Sequence, residues 1–413
     1  MIQAIKGTRD IFSPEVEKWQ FAERMMRRIC ALYGYEEVRT PLFEATELFA
    51  RGIGEVTDIV IKQMYTFQDA GGQSLTLRPE ATASLVRAFV EHGLDNEPGI
   101  TKWYCMGPMF RYERPQKGRY RQFHQWDVEI LGTENPAVDV EVIELLMRFL
   151  DSVHVKGTEL QLNSVGCPVC RPRYTAVLQE ELRKNKDRLC ADCQVRLERN
   201  PLRVLDCKVE SDQPIIDALP AIDDYLGEEC KTHFLAVQRL LGLSGIFFVR
   251  NKRLVRGLDY YTKTTFEVVA SGLGAQNSVA GGGRYDGLVE ELGGKPTKAI
   301  GFALGMDRLV LAMPESASES SGVRVLIVAM SDPSFEYAFE KVQLPLRKAG
   351  IACELDYQRR SLKGAMRLAD KRKVEWVAIT GDDEVKESKV TLKNMKSGEQ
   401  AKYSVEEAIE KVR

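Results

Sequence analysis

Four short clusters hold the residue types that could do chemistry. Leu77-Arg-Pro-Glu-Ala-Thr-Ala83 sets a carboxylate, Glu80, and a hydroxyl, Thr82, just before an apolar helical pattern. Capping of that helix by Thr82 would account for it alone. From Phe110 to Glu129, Arg111, Arg114, Lys117, Arg119 and Arg121 flank a Pro-Gln-Lys-Gly turn, interleaved with Tyr112, Tyr120 and Phe123. Guanidinium forks hold phosphates and aromatic faces stack bases, so this density favours a nucleotide and RNA site over a basic surface hairpin. Leu254 to Thr262 is followed by Ala280-Gly-Gly-Gly-Arg-Tyr-Asp286, where a triple glycine permits close backbone approach to a ligand or a tight turn. Neither has the spacing of a Walker or Rossmann loop. Finally, Gly301-Phe-Ala-Leu-Gly-Met-Asp-Arg308 leads a strand through Gly305 into a helix whose first turn carries Arg308.

These clusters need elements to position them. Ser13-Pro14 opens a helix with Trp19, Ala22, Met25, Met26 and Ile29 at helical spacing, stopped near Gly34. A second amphipathic helix is expected from about Ala83 to His92, with others at Val138 to Asp151 and Gly305 to Ala312. Strand patterns occur at Ile100 to Tyr104, His124 to Leu131, Thr264 to Ala270 and Lys298 to Ala303. Between about Gly166 and Glu229 the texture changes to charged helices and clustered cysteines, an insertion in a larger domain. Met313 to Gly322 is a polar, small-residue linker. Beyond it, strands at Val325 to Met330, Ile351 to Tyr357, Trp376 to Thr380 and Lys389 to Lys393 alternate with helices at Phe335 to Ala349, Lys363 to Lys373 and Val405 to Val412. That is a compact α/β domain. The expected division is 1–165 with 236–312, an insertion at 166–235, a linker at 313–322 and a last domain at 323–413.

The bulk numbers are consistent with this. The 413 residues are 44% hydrophobic and 29% charged, enough for packed cores in several domains. A net charge of −2 excludes a globally basic surface, so nucleic acid would be met by local patches. One such patch is Arg359, Arg360, Lys363, Arg367, Lys371, Arg372 and Lys373, although charge alone favours a solvated helix face. With no leader-like or membrane-length apolar run, a cytoplasmic protein is expected.

Taken together the clusters resemble class II aminoacyl-tRNA synthetases, and within them the histidyl-tRNA synthetase family of bacterial type. Phe110 to Glu129 resembles motif 2 and Gly301 to Arg308 motif 3. Gly34 to Glu44, with Pro41, is similar to the dimer-interface motif 1. Leu254 to Thr262 and Ala280 to Asp286 resemble the two histidine-specific signatures, and the likeness extends from Ile5-Lys-Gly-Thr-Arg-Asp10 to the C-terminal domain. The resemblance implies an α/β protein: an antiparallel catalytic sheet flanked by helices, a small helical insertion, and a mixed-sheet anticodon-binding domain. It implies activation of histidine by ATP with Mg2+, transfer to the 3′ end of tRNA(His), and a homodimer. Two positions depart from the common pattern. Asp307 replaces the usual Glu of motif 3, and Ala280-Gly-Gly-Gly replaces Cys-Ala-Gly-Gly.

By the same resemblance Arg111 holds the α-phosphate and Arg308 the γ-phosphate, while Glu113, Arg119 and Phe123 position the adenine and triphosphate. Arg256 stands beside the carboxylate and α-phosphate as the catalytic cation, offsetting charge as the carboxylate attacks phosphorus. Glu80, Ala81, Thr82 and Gln125 surround the amino acid's ammonium and carboxylate. Glu129 and Tyr261 bracket the imidazole, with Tyr260 and Tyr285 lining the pocket, since that ring both donates and accepts. Gln116 and Arg121 meet the tRNA acceptor end. The alternative is a synthetase-like regulatory subunit of histidine biosynthesis, which would usually lack the last domain and the histidine signatures.

One feature lies outside the resemblance. Cys167-Pro-Val-Cys170 and Cys190-Ala-Asp-Cys193 are two Cys-x-x-Cys knuckles separated by 19 residues. That spacing predicts one structural Zn2+ held by Cys167, Cys170, Cys190 and Cys193 in tetrahedral geometry, against reduced, partly buried thiols with Cys207 as an unexplained fifth.

Overall fold

The computed structural model describes residues 2–54, 57, 59–274, 277–317 and 323–413, so residues 318–322 of the expected linker lie outside it. The chain forms two compact units, Met1–Ser318 and Glu319–Arg413.

The first unit is built on an eight-stranded sheet. From one edge its strands run Glu36–Glu37, Thr101–Phe110, Gln122–Leu131, Ala299–Gly305, Ser278–Arg284, Thr262–Ala270, Thr158–Ser164 and Phe248–Arg250. The six central strands pair antiparallel, and the two edge strands join parallel. Register brings distant motifs side by side: Gln125 lies opposite Gly305, Glu129 opposite Gly301, and Gly281 opposite both Ala303 and Glu267. Sheet pairing, not chain proximity, therefore brings together the Phe110–Glu129, Ala280–Asp286 and Gly301–Arg308 clusters. The glycine-rich run Ala280–Gly283 lies inside a central strand and is not a tight turn.

Helices Glu15–Leu32 and Pro136–Ser152 cover the apolar face. The first begins one residue later than expected, with Pro14 at the N-cap, and buries Trp19, Ala22, Met26 and Ile29. The second has Pro136 in its first turn and is capped by Asn135, whose Oδ1 accepts from the Ala137 amide at 2.9 Å. Between helix and sheet, the fully buried Trp126 meets Phe149 and Phe302 edge-on at 4.7 and 5.2 Å. Arg284 is drawn to this side as well. Fully buried, it pairs with Asp139 at 2.6 Å, and His233 Nε2 reaches the same carboxylate at 3.1 Å. A buried charge needs such company.

The segment between Ser164 and Glu228 consists of short helices around its own core, including Tyr174, Leu178, Leu197, Val204 and Ile216. The following helix, Glu228–Leu243, packs Phe234, Val237 and Leu241 into the main core. The insertion therefore gives way to the main body near 227, close to the change in composition and before the expected boundary at 235.

In the second unit the sheet order is Cys353–Leu355, Val325–Ala329, Trp376–Thr380, Val390–Asn394 and Gln400–Tyr403. The first three strands are parallel and the last two antiparallel. The strand Gln400–Tyr403 and the short helix Asp382–Glu387 carry little apolar periodicity and are not expected from sequence. The closing helix Val405–Val412 coincides with its predicted span.

Candidate active site

On the sheet face away from those covering helices lies a cleft with about 1090 Å3 of empty space. Residues from all four clusters line it.

Its deep end is a nest of buried acids and phenols. Glu129, central on its strand, accepts from Thr82 Oγ1 at 2.7 Å and from Tyr285 Oη at 2.6 Å. Burial pushes its carboxyl up to about 8, against the lowering effect of those two hydrogen bonds. Glu80 is also buried, and burial raises it too, opposed by the Ala83 amide and Arg111. Its two oxygens accept the Thr82 and Ala83 amides at 2.9 and 2.8 Å. Glu80 thus satisfies the open end of helix Thr82–Glu91, the capping role expected of Thr82, and the Thr82 hydroxyl is turned to Glu129 instead. Tyr260, Tyr261 and Tyr285 stack around this end, and burial raises each phenol. Gln125 Oε1 is buried there with no hydrogen-bond partner among the described residues, an acceptor that a ligand donor would satisfy.

The mouth is cationic. Arg111 donates to the Pro79 carbonyl at 2.8 Å and lies 5.3 Å from the Phe123 ring centre. Arg308 donates to the carbonyls of Ser278 at 2.9 Å and Gly118 at 3.2 Å. Burial lowers both guanidinium groups' affinity for the proton, but each stays charged. Arg119 is ion-paired to Glu113 on the hairpin. Arg256 crosses the floor between the two ends and pairs with Glu267 at 3.1 Å. Burial, the largest single influence, opposes its proton, but Glu267, Tyr261 and Tyr260 together outweigh it, for a net rise. Gly281 lies directly beneath, and a Cβ there would overlap the Arg256 guanidinium. Likewise, a Cβ at Gly301 would overlap the Glu129 carboxylate. Each glycine is the space in which a charged side chain lies.

Most of the expected residues converge here: Glu80, Thr82, Arg111, Glu113, Arg119, Phe123, Gln125, Glu129, Arg256, Tyr260, Tyr261, Tyr285 and Arg308. Ala81 is buried behind the lining. Gln116 is exposed at the hairpin tip, where it bridges Arg119 through the backbone. Arg121 stacks on Tyr112 at 3.9 Å and fixes the N-terminal segment through a 2.7 Å amide bond to the Gly7 carbonyl.

The structure gives Asp307 a role and adds residues not singled out from sequence. Asp307 accepts from Arg9 at 3.0 Å and from the His124 amide at 3.1 Å, tying the N-terminal Lys-Gly-Thr-Arg-Asp segment to motif 3. Ile59, His124 and Leu258 also line the cleft. From the insertion, Arg203 donates to the Arg256 carbonyl at 2.9 Å and Arg171 donates to the Tyr261 carbonyl.

The expected four-thiolate cluster does not form. Cys167 and Cys170 gather with Cys230, whereas Cys190 and Cys193 gather with Cys207 and Asp212. The two knuckles begin different helices, Arg171–Arg183 and Ala191–Arg199, and each helix start faces its own partners.

Comparison with known proteins agrees with this geometry. Residues 7–309 match the family model described as "Histidyl-tRNA synthetase", and residues 323–413 match "Anticodon binding domain". A "Histidine--tRNA ligase" from Solibacter usitatus is 51% identical, with 98% of each chain covered. One from Halothermothrix orenii is 48% identical over 100% of this chain and 99% of that one. The crystal structure of apo S. aureus histidyl-tRNA synthetase superposes with a TM-score of 0.82 at 37% identity, covering both chains in full. A Bacillus halodurans protein titled as an ATP phosphoribosyltransferase regulatory subunit/histidyl-tRNA synthetase shares the fold at 21% identity and a TM-score of 0.67, over 92% of this chain and 98% of that one.

Proposed function

The chain belongs to the histidyl-tRNA synthetase family, and we propose that its cleft activates histidine with ATP and passes it to tRNA(His). It is a class II histidine–tRNA ligase, favoured over the regulatory-subunit alternative by full-length relatives of that name and by both matched domains. The observation that carries the residue-level reading is Glu129, held between Thr82 and Tyr285 at the closed end of a cleft whose mouth is lined with arginines.

In this reading the imidazole enters the deep end. Glu129 accepts from one ring nitrogen and Tyr261 donates to the other, with Tyr260 and Tyr285 enclosing the ring. Glu80, Thr82 and Gln125 receive the α-ammonium group. A pocket of fixed polar partners discriminates strongly against side chains that cannot pair with them. ATP lies across the hairpin. Glu113, Arg119 and Phe123 position the adenine and the bent triphosphate, Arg111 meets the α-phosphate and Arg308 the γ-phosphate. Mg2+ arrives on the triphosphate and offsets its charge. Arg256 lies where the histidine carboxylate must approach the α-phosphorus, so its charge counters the oxygens that become more negative as that bond forms and pyrophosphate leaves.

The hairpin tip with Gln116, and Arg121 behind it, faces the acceptor end. The C-terminal unit takes the anticodon arm through its basic patch. Exposed Leu32, Leu42 and Phe43 around motif 1 suit a homodimer interface. No described helix is long and apolar enough to cross a membrane, and a cytoplasmic site of action fits a translation enzyme. Zinc in the insertion completes the proposed cofactors.

The test is histidine-dependent ATP–pyrophosphate exchange with purified protein, followed by charging of tRNA(His). Exchange that needs histidine and no other amino acid supports the reading. Histidine binding without exchange would move the chain to the regulatory class.

A further inference from the structure

We propose that the insertion holds two zinc ions: one in a closed site of Cys190, Cys193, Cys207 and Asp212, the other on Cys167, Cys170 and Cys230 with water as its fourth ligand. The proposal refines the zinc reading of the insertion and does not depend on the aminoacylation chemistry.

Distances carry it. Zinc–sulfur bonds of about 2.3 Å at tetrahedral angles put ligand sulfurs about 3.8 Å apart, and a sulfur about 3.5 Å from a carboxylate oxygen. Cys190 Sγ and Cys207 Sγ are 3.9 Å apart, and Cys207 Sγ is 3.4 Å from Asp212 Oδ2. In the other cluster Cys167 to Cys170 is 3.6 Å and Cys170 to Cys230 is 3.7 Å. Disulfides need sulfurs about 2.0 Å apart and in pairs. Here the thiols come in threes, with three of the sulfur–sulfur edges at the length of a metal tetrahedron and all ligand atoms of each cluster within 4.8 Å of one another.

The surroundings are those of charged ligands. Asp212 is fully buried, yet among the described residues no Lys, Arg or His side chain lies within ion-pair distance of it. Its carboxylate accepts the Cys190 amide at 3.0 Å and otherwise faces Ser211 and the thiols. A buried carboxylate without a cationic side chain beside it is a ready ligand for a metal ion, and three adjacent sulfurs select a soft-tolerant one such as zinc. Backbone amides aim at sulfur in both clusters: Gly227 N to Cys170 Sγ at 3.1 Å and Val209 N to Cys207 Sγ at 3.4 Å.

Each ion would have a distinct structural task. The closed site joins the start of helix Ala191–Arg199 to the turn Pro201–Asp206 and the segment at Asp212, within an insertion whose apolar core is small. The three-thiolate site joins the insertion's entry, at Cys167 and Cys170, to Cys230 in the first turn of helix Glu228–Leu243 of the main body. Cys167 is partly exposed, which lets water reach the fourth position.

The experiment is metal analysis of the full-length protein as purified. About two zinc per chain is expected, falling to about one in Cys207→Ser and to about one in Cys230→Ser. One zinc or none in the unaltered protein overturns the proposal. Should either variant fail to fold, the zinc X-ray absorption spectrum of the unaltered protein decides by itself. An average of about three sulfurs and one oxygen per ion supports two sites, and four sulfurs restores a single four-thiolate site. Pyrophosphate exchange is scored separately, so failure here leaves the synthetase assignment intact.

Discussion

The two ends of the cleft solve opposite electrostatic problems with opposite degrees of exposure. At the deep end Glu80 and Glu129 are both buried, and burial is the main reason their carboxyls hold protons more tightly than free ones; the charge of Glu80 raises Glu129 further. At the mouth Arg111, Arg119 and Arg308 are only partly covered and anchored by carbonyls or Glu113, which orient them toward the cleft. A site for a small neutral ring can be built from buried groups poised to titrate. A site for a polyanion needs permanent charges that titrate nowhere near neutrality. Arg256 sits at the seam, and its loss should separate the two functions.

Arg256→Ala is expected to have the largest effect. Losing one preorganised transition-state cation costs roughly 10^2- to 10^3-fold in rate. The exchange kcat should fall by that order while the histidine KM changes little. Arg256→Lys should recover only part, because an ammonium cannot reproduce the planar fork. Unaltered exchange kinetics in the alanine variant would refute the assigned role.

Glu129→Gln tests the deep end. Burial pushes the Glu129 carboxyl up to about 8; it is mostly protonated below that pH and mostly ionised above it. If the ionised form is the acceptor for the imidazole N–H, histidine KM in the wild type should fall as pH rises through 8. In the variant that dependence should vanish, with KM raised roughly 10^2-fold at pH 9. The stability sign is opposite. A carboxyl whose folded pKa lies above its unfolded value favours the fold below the unfolded value and loses that contribution as pH rises through the folded one. A neutral amide at this position carries no such penalty, so the variant should melt higher than wild type at pH 9, with the gain shrinking toward pH 5. A flat wild-type KM profile would mean that Glu129 binds histidine in one protonation state throughout.

How legible each end is from sequence follows from the same contrast. The phosphate end announces itself, because five cations and three aromatics are concentrated on one hairpin. The deep end does not. Glu129 looks like any strand residue until Gly301 lies opposite it, and Thr82 looks like a cap until Glu80 takes the amides. The Arg9–Asp307 link spans almost the whole unit and leaves no local mark. The metal ligands are a third case. Cys-x-x-Cys spacing identifies knuckles, but the partners Cys207, Asp212 and Cys230 are chosen by packing of separate segments. The nearest spaced pair was therefore the wrong partner.

Phe123→Ala should give a smaller effect, confined to the mouth. Base stacking on an aromatic contributes about 1–3 kcal/mol, so ATP KM should rise roughly tenfold with histidine KM unchanged. A matching rise in histidine KM would show that Phe123 supports the fold of the hairpin as a whole.

The smallest effect is expected in the second unit, where the same distinction between tied and available cations recurs. Arg359, Arg360 and Arg372 are ion-paired to Asp332, Asp356 and Glu354. Among the described residues Lys363 and Arg367, on the helix Leu362–Lys371, form no ion pair. Phosphate contacts release counterions, at a slope of about 0.7 to 0.9 in log–log terms per contact. Replacing Lys363 and Arg367 together by Gln should raise tRNA KM a few-fold and flatten its salt dependence by about one to two contacts' worth. Exchange without tRNA should not change. If the salt slope of charging is unaltered, the helix is a solvated face and the anticodon arm is held elsewhere on the unit.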